Sequence, residues 1–244
     1  MPRNPALIEN SIRMNQAIVE SSGVVTLVAG GPVTRRDLAL ALRRAPVLVA
    51  ADGGADRALA AGHLPQAVIG DLDSLTPAAR KAVGKARLHR VAEQETTDFD
   101  KALAAVPAPL VLAVGFAGAR LDHTLAAMST LLRNPGRRVV MDTGSDLCLL
   151  CPPDLRLDLP AGARVSLYPM APVRCASAGL VWATSGLDLS PAGRIGTSNA
   201  AKGGLVTLAP EAPALLLLLP IEALDALLEA LRHAPLWPDA ARAG

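Results

Sequence analysis

The stretch PVLVAADGGADRALAAGHLPQAVIGDLDSL, residues 46–75, decides the fold. Its two apolar runs, PVLVAA and QAVIG, show no polar alternation, and the segment between them, GADRALAAG, has helical composition. A strand that is apolar along its whole length is covered on both faces, so this strand-helix-strand unit belongs to a parallel sheet with helices on either side. The unit repeats. Between residue 24 and about residue 142, the runs VVTLVA, PVLVAA, QAVIG, ARLHRV, PLVLAVG and RRVVMD alternate with the helix-like segments TRRDLALALRR, GADRALAAG, TPAARKAV, DFDKALAAV and LDHTLAAMSTLLR. Capping signals mark helix starts: Thr34 with Asp37 three residues later, Thr76 ahead of Pro77, and Thr97 ahead of Asp98.

After residue 145 the rhythm changes to short β-rich runs separated by Pro and Gly turns, among them LCLLC, LRLDLP, ARVSLYPM, VRCASAGLVWAT, GLVTLA and ALLLLL. These predict a small antiparallel β domain. The tail IEALDALLEALRH is an amphipathic helix that packs on the surface or against a partner chain. With 244 residues the chain has room for two modest domains. The expected division is an extension over 1–22, an α/β catalytic domain over 23–143, and a β domain with a C-terminal helix over 144–244.

A formal charge of +2, without a Lys/Arg run or interleaved aromatics, argues against nucleic-acid binding. The longest apolar run, ALLLLLP, stops far short of the roughly 20 residues a membrane span needs, and the N-terminus has no signal-peptide core. A cytoplasmic location is the expectation. Three cysteines are too few for a disulfide framework. Cys148 and Cys151 form a CxxC, but in a buried strand residues three apart face opposite ways, which favours core cysteines over metal ligands.

The polar clusters lie where a ligand site is expected. DGGAD follows PVLVAA, GDLDS follows QAVIG, ETTDFDK follows ARLHRV, and GFAGARLDH follows PLVLAV. All four fall after the carboxyl ends of strands, the edge at which open parallel sheets bind ligands. If the chain is still extended there, Asp71 and Asp73 point to one side; with Asp98 they form a set suited to Mg²⁺, which takes one or two carboxylates and reaches out to phosphates. The alternative is a turn with capping aspartates. Asp52, Gly53 and Gly54 let the backbone approach a ligand ahead of a helix start. Lys101 and Arg120 are the cations expected on phosphate oxygens, the alternative being salt bridges to Asp98 or Asp122; His123 is a further phosphate donor or a structural residue. In the β half, Trp182, Ser198 and Asn199 stand out in GLVW and TSN, either as ligand contacts or as core and turn residues.

Taken in order, ADGGAD, IGDLDS, QETTDFDKAL, GFAGARLDHTLA, GLVW and TSN resemble the thiamine pyrophosphokinase (thiamine diphosphokinase) family over residues 24 to about 219. The resemblance implies an N-terminal Rossmann-like domain with a parallel sheet, a C-terminal antiparallel β-sandwich, and a homodimer whose active sites lie between subunits. It implies ATP as cosubstrate and Mg²⁺ as cofactor. It gives Asp71, Asp73 and Asp98 to the metal and places Asp52, Ser74, Gln94, Thr97, Lys101, Arg120 and Asp122 around the triphosphate. Trp182, Ser198 and Asn199 fall to the thiamine pocket, where an indole suits a cationic thiazolium. The implied reaction moves the terminal diphosphoryl group of ATP to the hydroxyethyl oxygen of thiamine and releases AMP. Two rivals stay open from the residues: a diphosphokinase for a pterin alcohol, and a nucleotide-sensing module without turnover. The C-terminal helix and the N-terminal extension depart from the family's pattern.

Overall fold

The computed structural model describes residues 17–92, 95–118 and 120–238. The chain divides into two compact units, residues 1–130 and 131–244.

The first unit follows the predicted rhythm: β1 (Val25–Val28), α1 (Arg35–Leu42), β2 (Val47–Ala51), α2 (Gly54–Ala60), β3 (Ala67–Gly70), α3 (Pro77–Val83), β4 (Leu88–Arg90), α4 (Asp98–Ala105) and β5 (Val111–Val114). Next comes α5 (Leu121–Arg133), and the division falls in its last turn. The five strands lie side by side in the order β5-β1-β2-β3-β4, every pair parallel. The inner strands are buried on both faces, β1, β3 and β5 exposing nothing, while β4 at the edge exposes Arg90. The polar Thr26 in the middle of β1 is tolerated because its Oγ1 donates to the Ala45 carbonyl at 2.7 Å.

The chain steps outward from β1 to β4 and then returns to the far side of β1 for β5. Direction therefore reverses between β1 and β5, and the loops leaving these two strands meet at the carboxyl edge, where Gly31 N–H donates to the Gly115 carbonyl. Such a switch point opens a crevice at the carboxyl edge. The predicted caps form as expected. Thr34 and Asp37 make a reciprocal capping box, Thr76 caps α3 ahead of Pro77, and Thr97 makes a second box with Asp100. Residues 18–21 of the expected loose extension are tied down, Ile18 N–H donating to the Ala105 carbonyl at 2.8 Å and Ser21 N–H to that of Pro107 at 3.3 Å.

The second unit contains β6 (Val139–Asp142), β7 (Asp146–Leu150), β8 (Leu155–Leu159), β9 (Arg164–Pro169), β10 (Val173–Ala178), β11 (Asp188–Leu189), β12 (Gly196–Ala200), β13 (Gly204–Pro210), β14 (Leu215–Pro220) and α6 (Leu224–His233). Its strands run in the orders β12-β9-β14-β7-β6 and β11-β10-β13-β8, all antiparallel. The RRVVMD run that continues the α/β rhythm in the sequence becomes β6, which pairs antiparallel with β7 through a tight turn at Thr143–Asp146. In β8 Leu155, Leu157 and Leu159 are buried while Arg156 and Asp158 face out, the alternation of a half-buried strand. The tail helix α6 lies on β8 and buries Leu224, Leu227 and Leu231, three to four residues apart. Cys148, Cys151 and Cys175 are all buried and unpaired, as core cysteines.

Candidate active site

At the carboxyl edge of the parallel sheet, β2 is followed by Asp52, whose backbone is left-handed at φ 41°, and then by Gly53 and Gly54. Gly54 is compulsory at the start of α2, since a Cβ there would lie 2.0 Å from the Val28 carbonyl oxygen. β3 ends in Gly70, where a Cβ would meet Asp52 Cβ at 3.0 Å and Asp98 Oδ1 at 3.3 Å. That glycine, unremarked in the sequence, is the floor on which acids from three loops approach one another.

Asp71 and Asp73 do converge, by a different route from the extended one expected. Leu72 between them has φ 66°, and Asp71 Oδ1 accepts the Asp73 N–H at 3.2 Å, so the chain turns here. Leu72 is 2% exposed; burial of its side chain helps to hold a conformation that leucine otherwise avoids. Carboxylate oxygens of Asp52, Asp71 and Asp73 lie within 4.8 Å of one another. Asp98, at the start of α4, borders this group through Gly70. The structure thus draws Asp52 into the acidic set that the sequence assigned to Asp71, Asp73 and Asp98.

Burial pushes the Asp52 carboxyl above its ordinary range, opposed by Ser74 and reinforced by the charges of Asp98 and Asp71. Burial likewise raises Asp98, with Lys101 opposing and Asp71 and Asp73 reinforcing. Asp52 Oδ2 accepts the Ser74 N–H at 3.2 Å, and Ser74 Oγ donates to Asp73 Oδ1 at 3.0 Å. Asp52 Oδ1 is buried with no hydrogen-bond partner among the described residues. A buried, unsatisfied carboxylate oxygen among further carboxylates is costly by itself and suits a hard divalent cation, so the residues present fit Mg²⁺.

Lys101 is 4% exposed and its Nζ lies 3.4 Å from Asp98 Oδ1. Arg120 is paired with Asp122, Nε to Oδ1 at 3.1 Å, both side chains 65% exposed, and the guanidinium holds Asp122 below its ordinary value. Both cations therefore make the carboxylate pairs considered as alternatives from the sequence. Thr97 Oγ1 is taken up by its capping box and lies 3.3 Å from Thr130 Oγ1. His123 is exposed on the first turn of α5, and Gln94 lies outside the described residues. Phe99 of α4 stacks on Phe116 of the loop after β5, ring centroids 3.9 Å apart.

In the second unit Trp182 is 63% exposed, yet its backbone is fixed. Buried Asn199 accepts the Trp182 N–H at 3.1 Å and donates Nδ2 to its carbonyl at 2.7 Å. The Asn199 side chain is thus engaged in presenting the indole. Ser198 is exposed at φ 59°, its N–H donating to Ser166 Oγ at 3.0 Å.

The first unit is therefore an open parallel α/β domain with a carboxylate-rich candidate site at its switch-point edge. Residues 38–141 match the family model of the thiamin pyrophosphokinase catalytic domain. Thiamine pyrophosphokinase 2 of Arabidopsis thaliana is 26% identical over 168 residues, covering 59% of this chain and 61% of its own length. Thiamine pyrophosphokinase 1 of the same plant is 26% identical over 201 residues, 67% of this chain and 74% of its own. Among solved structures, the yeast thiamin pyrophosphokinase superposes with TM-score 0.70 at 17% identity, covering 88% of this chain and 90% of its own. The thiamine pyrophosphokinase of Bacillus subtilis gives 0.67 at 20% identity, with 81% and 98% covered.

Proposed function

We propose that this chain transfers the diphosphoryl group of ATP to the hydroxyethyl oxygen of thiamine, giving thiamine diphosphate and AMP. The observation that carries this reading is the group Asp52, Asp71 and Asp73, with its orphaned Asp52 oxygen, at the carboxyl edge of the sheet. Asp52, Asp71, Asp73 and Asp98 would hold Mg²⁺, whose contribution is to neutralise charge on the phosphate oxygens. Attack is on the β-phosphorus: the thiamine oxygen forms its bond there, the bridge to the α-phosphate breaks, its electron pair leaves with AMP, and the hydroxyl loses its proton. The protein's share is positioning and electrostatics. Lys101, buried against Asp98, keeps that carboxylate aimed at the group. Asn199 presents the Trp182 indole for a cationic ring, with Ser198 alongside in sequence.

A homodimer with active sites between subunits, a β-sandwich arrangement of the second unit, and a cytoplasmic location complete the reading. It is compatible with the described residues, among which no helix is long and apolar enough to cross a membrane. The test is an assay of the purified protein with ATP, Mg²⁺ and thiamine that follows AMP and thiamine diphosphate together. Equal amounts of the two, abolished by EDTA, are expected. ADP in place of AMP would mean transfer of a single phosphoryl group and would overturn the mechanism.

A further inference from the structure

We propose that Arg57 is a phosphate-binding residue of this site, gripping polyphosphate oxygens of the nucleotide; the inference rests on the reading of ATP as donor. Four carboxylates gathered at one edge need cations if a polyphosphate is to settle there. Lys101 and Arg120 are each already paired with an aspartate. Arg57, on α2, is placed differently. Its Nε donates to the Gly30 carbonyl at 3.1 Å, and its two terminal amino groups have no protein partner among the described residues. The neighbouring acid does not neutralise it, because Asp56 turns to Thr76, accepting from Oγ1 at 2.5 Å and from the backbone N–H at 3.2 Å.

The anchor puts this guanidinium beside the acidic group. Gly30 follows β1 at the switch point, where the next residue, Gly31, donates its N–H to the Gly115 carbonyl after β5 at 3.0 Å. A Cβ on Gly30 would lie 3.5 Å from the Gly53 carbonyl carbon, and one on Gly53 would lie 3.4 Å from Ser74 Cβ. Ser74 in turn bonds Asp52 and Asp73. Arg57, Gly30, Gly53, Ser74 and the acids thus form one contiguous rim, and the glycines leave its surface open to a ligand. Holding a carbonyl needs only one N–H. A guanidinium fixed at Nε keeps its plane set and offers the other two nitrogens as a fork, the geometry that matches phosphate oxygens.

The experiment is calorimetric titration of wild type, Arg57→Ala and Arg57→Lys with Mg²⁺-ATP and, separately, with adenosine. Loss of a charge-assisted contact of this kind predicts that Arg57→Ala weakens ATP about 10- to 100-fold while changing adenosine by less than about twofold. Arg57→Lys should recover part of the loss, keeping the charge without the fork. Wild-type affinity for ATP in Arg57→Ala overturns the inference, as does an equal loss for ATP and adenosine in both variants, which would mean that Arg57 only shapes the Gly30 loop. If Arg57→Ala does not fold, the lysine variant decides alone: undiminished ATP affinity overturns the fork, and selective weakening for ATP supports it. Wild type that turns over thiamine while ATP affinity ignores Arg57 refutes this inference alone. Wild type that binds ATP through Arg57 yet forms no thiamine diphosphate refutes the acceptor alone.

Discussion

Asp52, Leu72 and Ser198 hold a positive φ, and among the described residues no other residue except glycine does. Each stands within or beside a cluster singled out from the sequence, and backbone strain of this kind persists only where the surroundings enforce it. At the acidic group the enforcement works against the charges. Burial raises both Asp52 and Asp98, and the charge of Asp71 adds to it, so these carboxyls keep their protons in the folded chain at pH values where the unfolded chain has lost them. The sign follows: the folded state binds more protons above the ordinary value of 3.8, and its stability without metal falls as pH rises through the raised values. Asp71→Asn is expected to lessen that fall without abolishing it, since burial of Asp52 and Asp98 remains, read by thermal melts across acid pH. Added Mg²⁺ should stabilise the wild type by about 2.7 kcal/mol at a hundredfold excess over its Kd, and the variant far less. Turnover of the variant should drop by roughly 10²- to 10³-fold, as when one preorganised electrostatic contact is removed.

Two capping boxes of the same kind sit on elements with different duties. Thr97 with Asp100 starts α4 and fixes the turn that carries Asp98 and Lys101; Thr34 with Asp37 starts α1. Thr97→Ala and Thr34→Ala should each cost about 1 kcal/mol in denaturant unfolding. Only Thr97→Ala should also weaken Mg²⁺ binding, because only its helix carries part of the acidic group. The Trp182 segment depends on a side chain more than on a sheet: among the described residues it has no regular pairing beyond the bridge of Leu180 to Ala201, and Asn199 supplies the partners of both the N–H and the carbonyl of Trp182. Asn199→Ala leaves those groups wanting, a cost of about 1–3 kcal/mol. Trp182 fluorescence anisotropy should fall in this variant, and the KM for thiamine should rise with kcat little changed, since the indole is displaced while the acids stay in place.

At the scale of the molecule, the two compact units carry separate reporters. All three cysteines belong to the second, where burial pushes Cys148 up to about 12, Cys175 to about 11 and Cys151 well above its ordinary value. Native protein should therefore show no fast reaction with an aromatic disulfide reagent at neutral pH, and three thiols should titrate in denaturant. One or more fast-reacting thiols in the native state would contradict this core. Much of the architecture was legible in residues. Apolar runs without alternation encoded β1, β2, β3 and β5, Thr34, Thr76 and Thr97 encoded helix starts, and the acids after strand ends marked the ligand edge, because hydrophobic period and capping chemistry act over a few residues. What only tertiary structure decided were matters of long-range approach. β6 joined an antiparallel neighbour, since a strand's partner depends on where the chain returns rather than on its own composition. Asp52 entered the acidic group across the gap left by Gly70, Lys101 was buried on Asp98, and Asn199 closed on the Trp182 backbone 17 residues away. The sequence by itself determined which residues carry charge and where strands end; which charges meet is set by distances that only the packed sheet fixes.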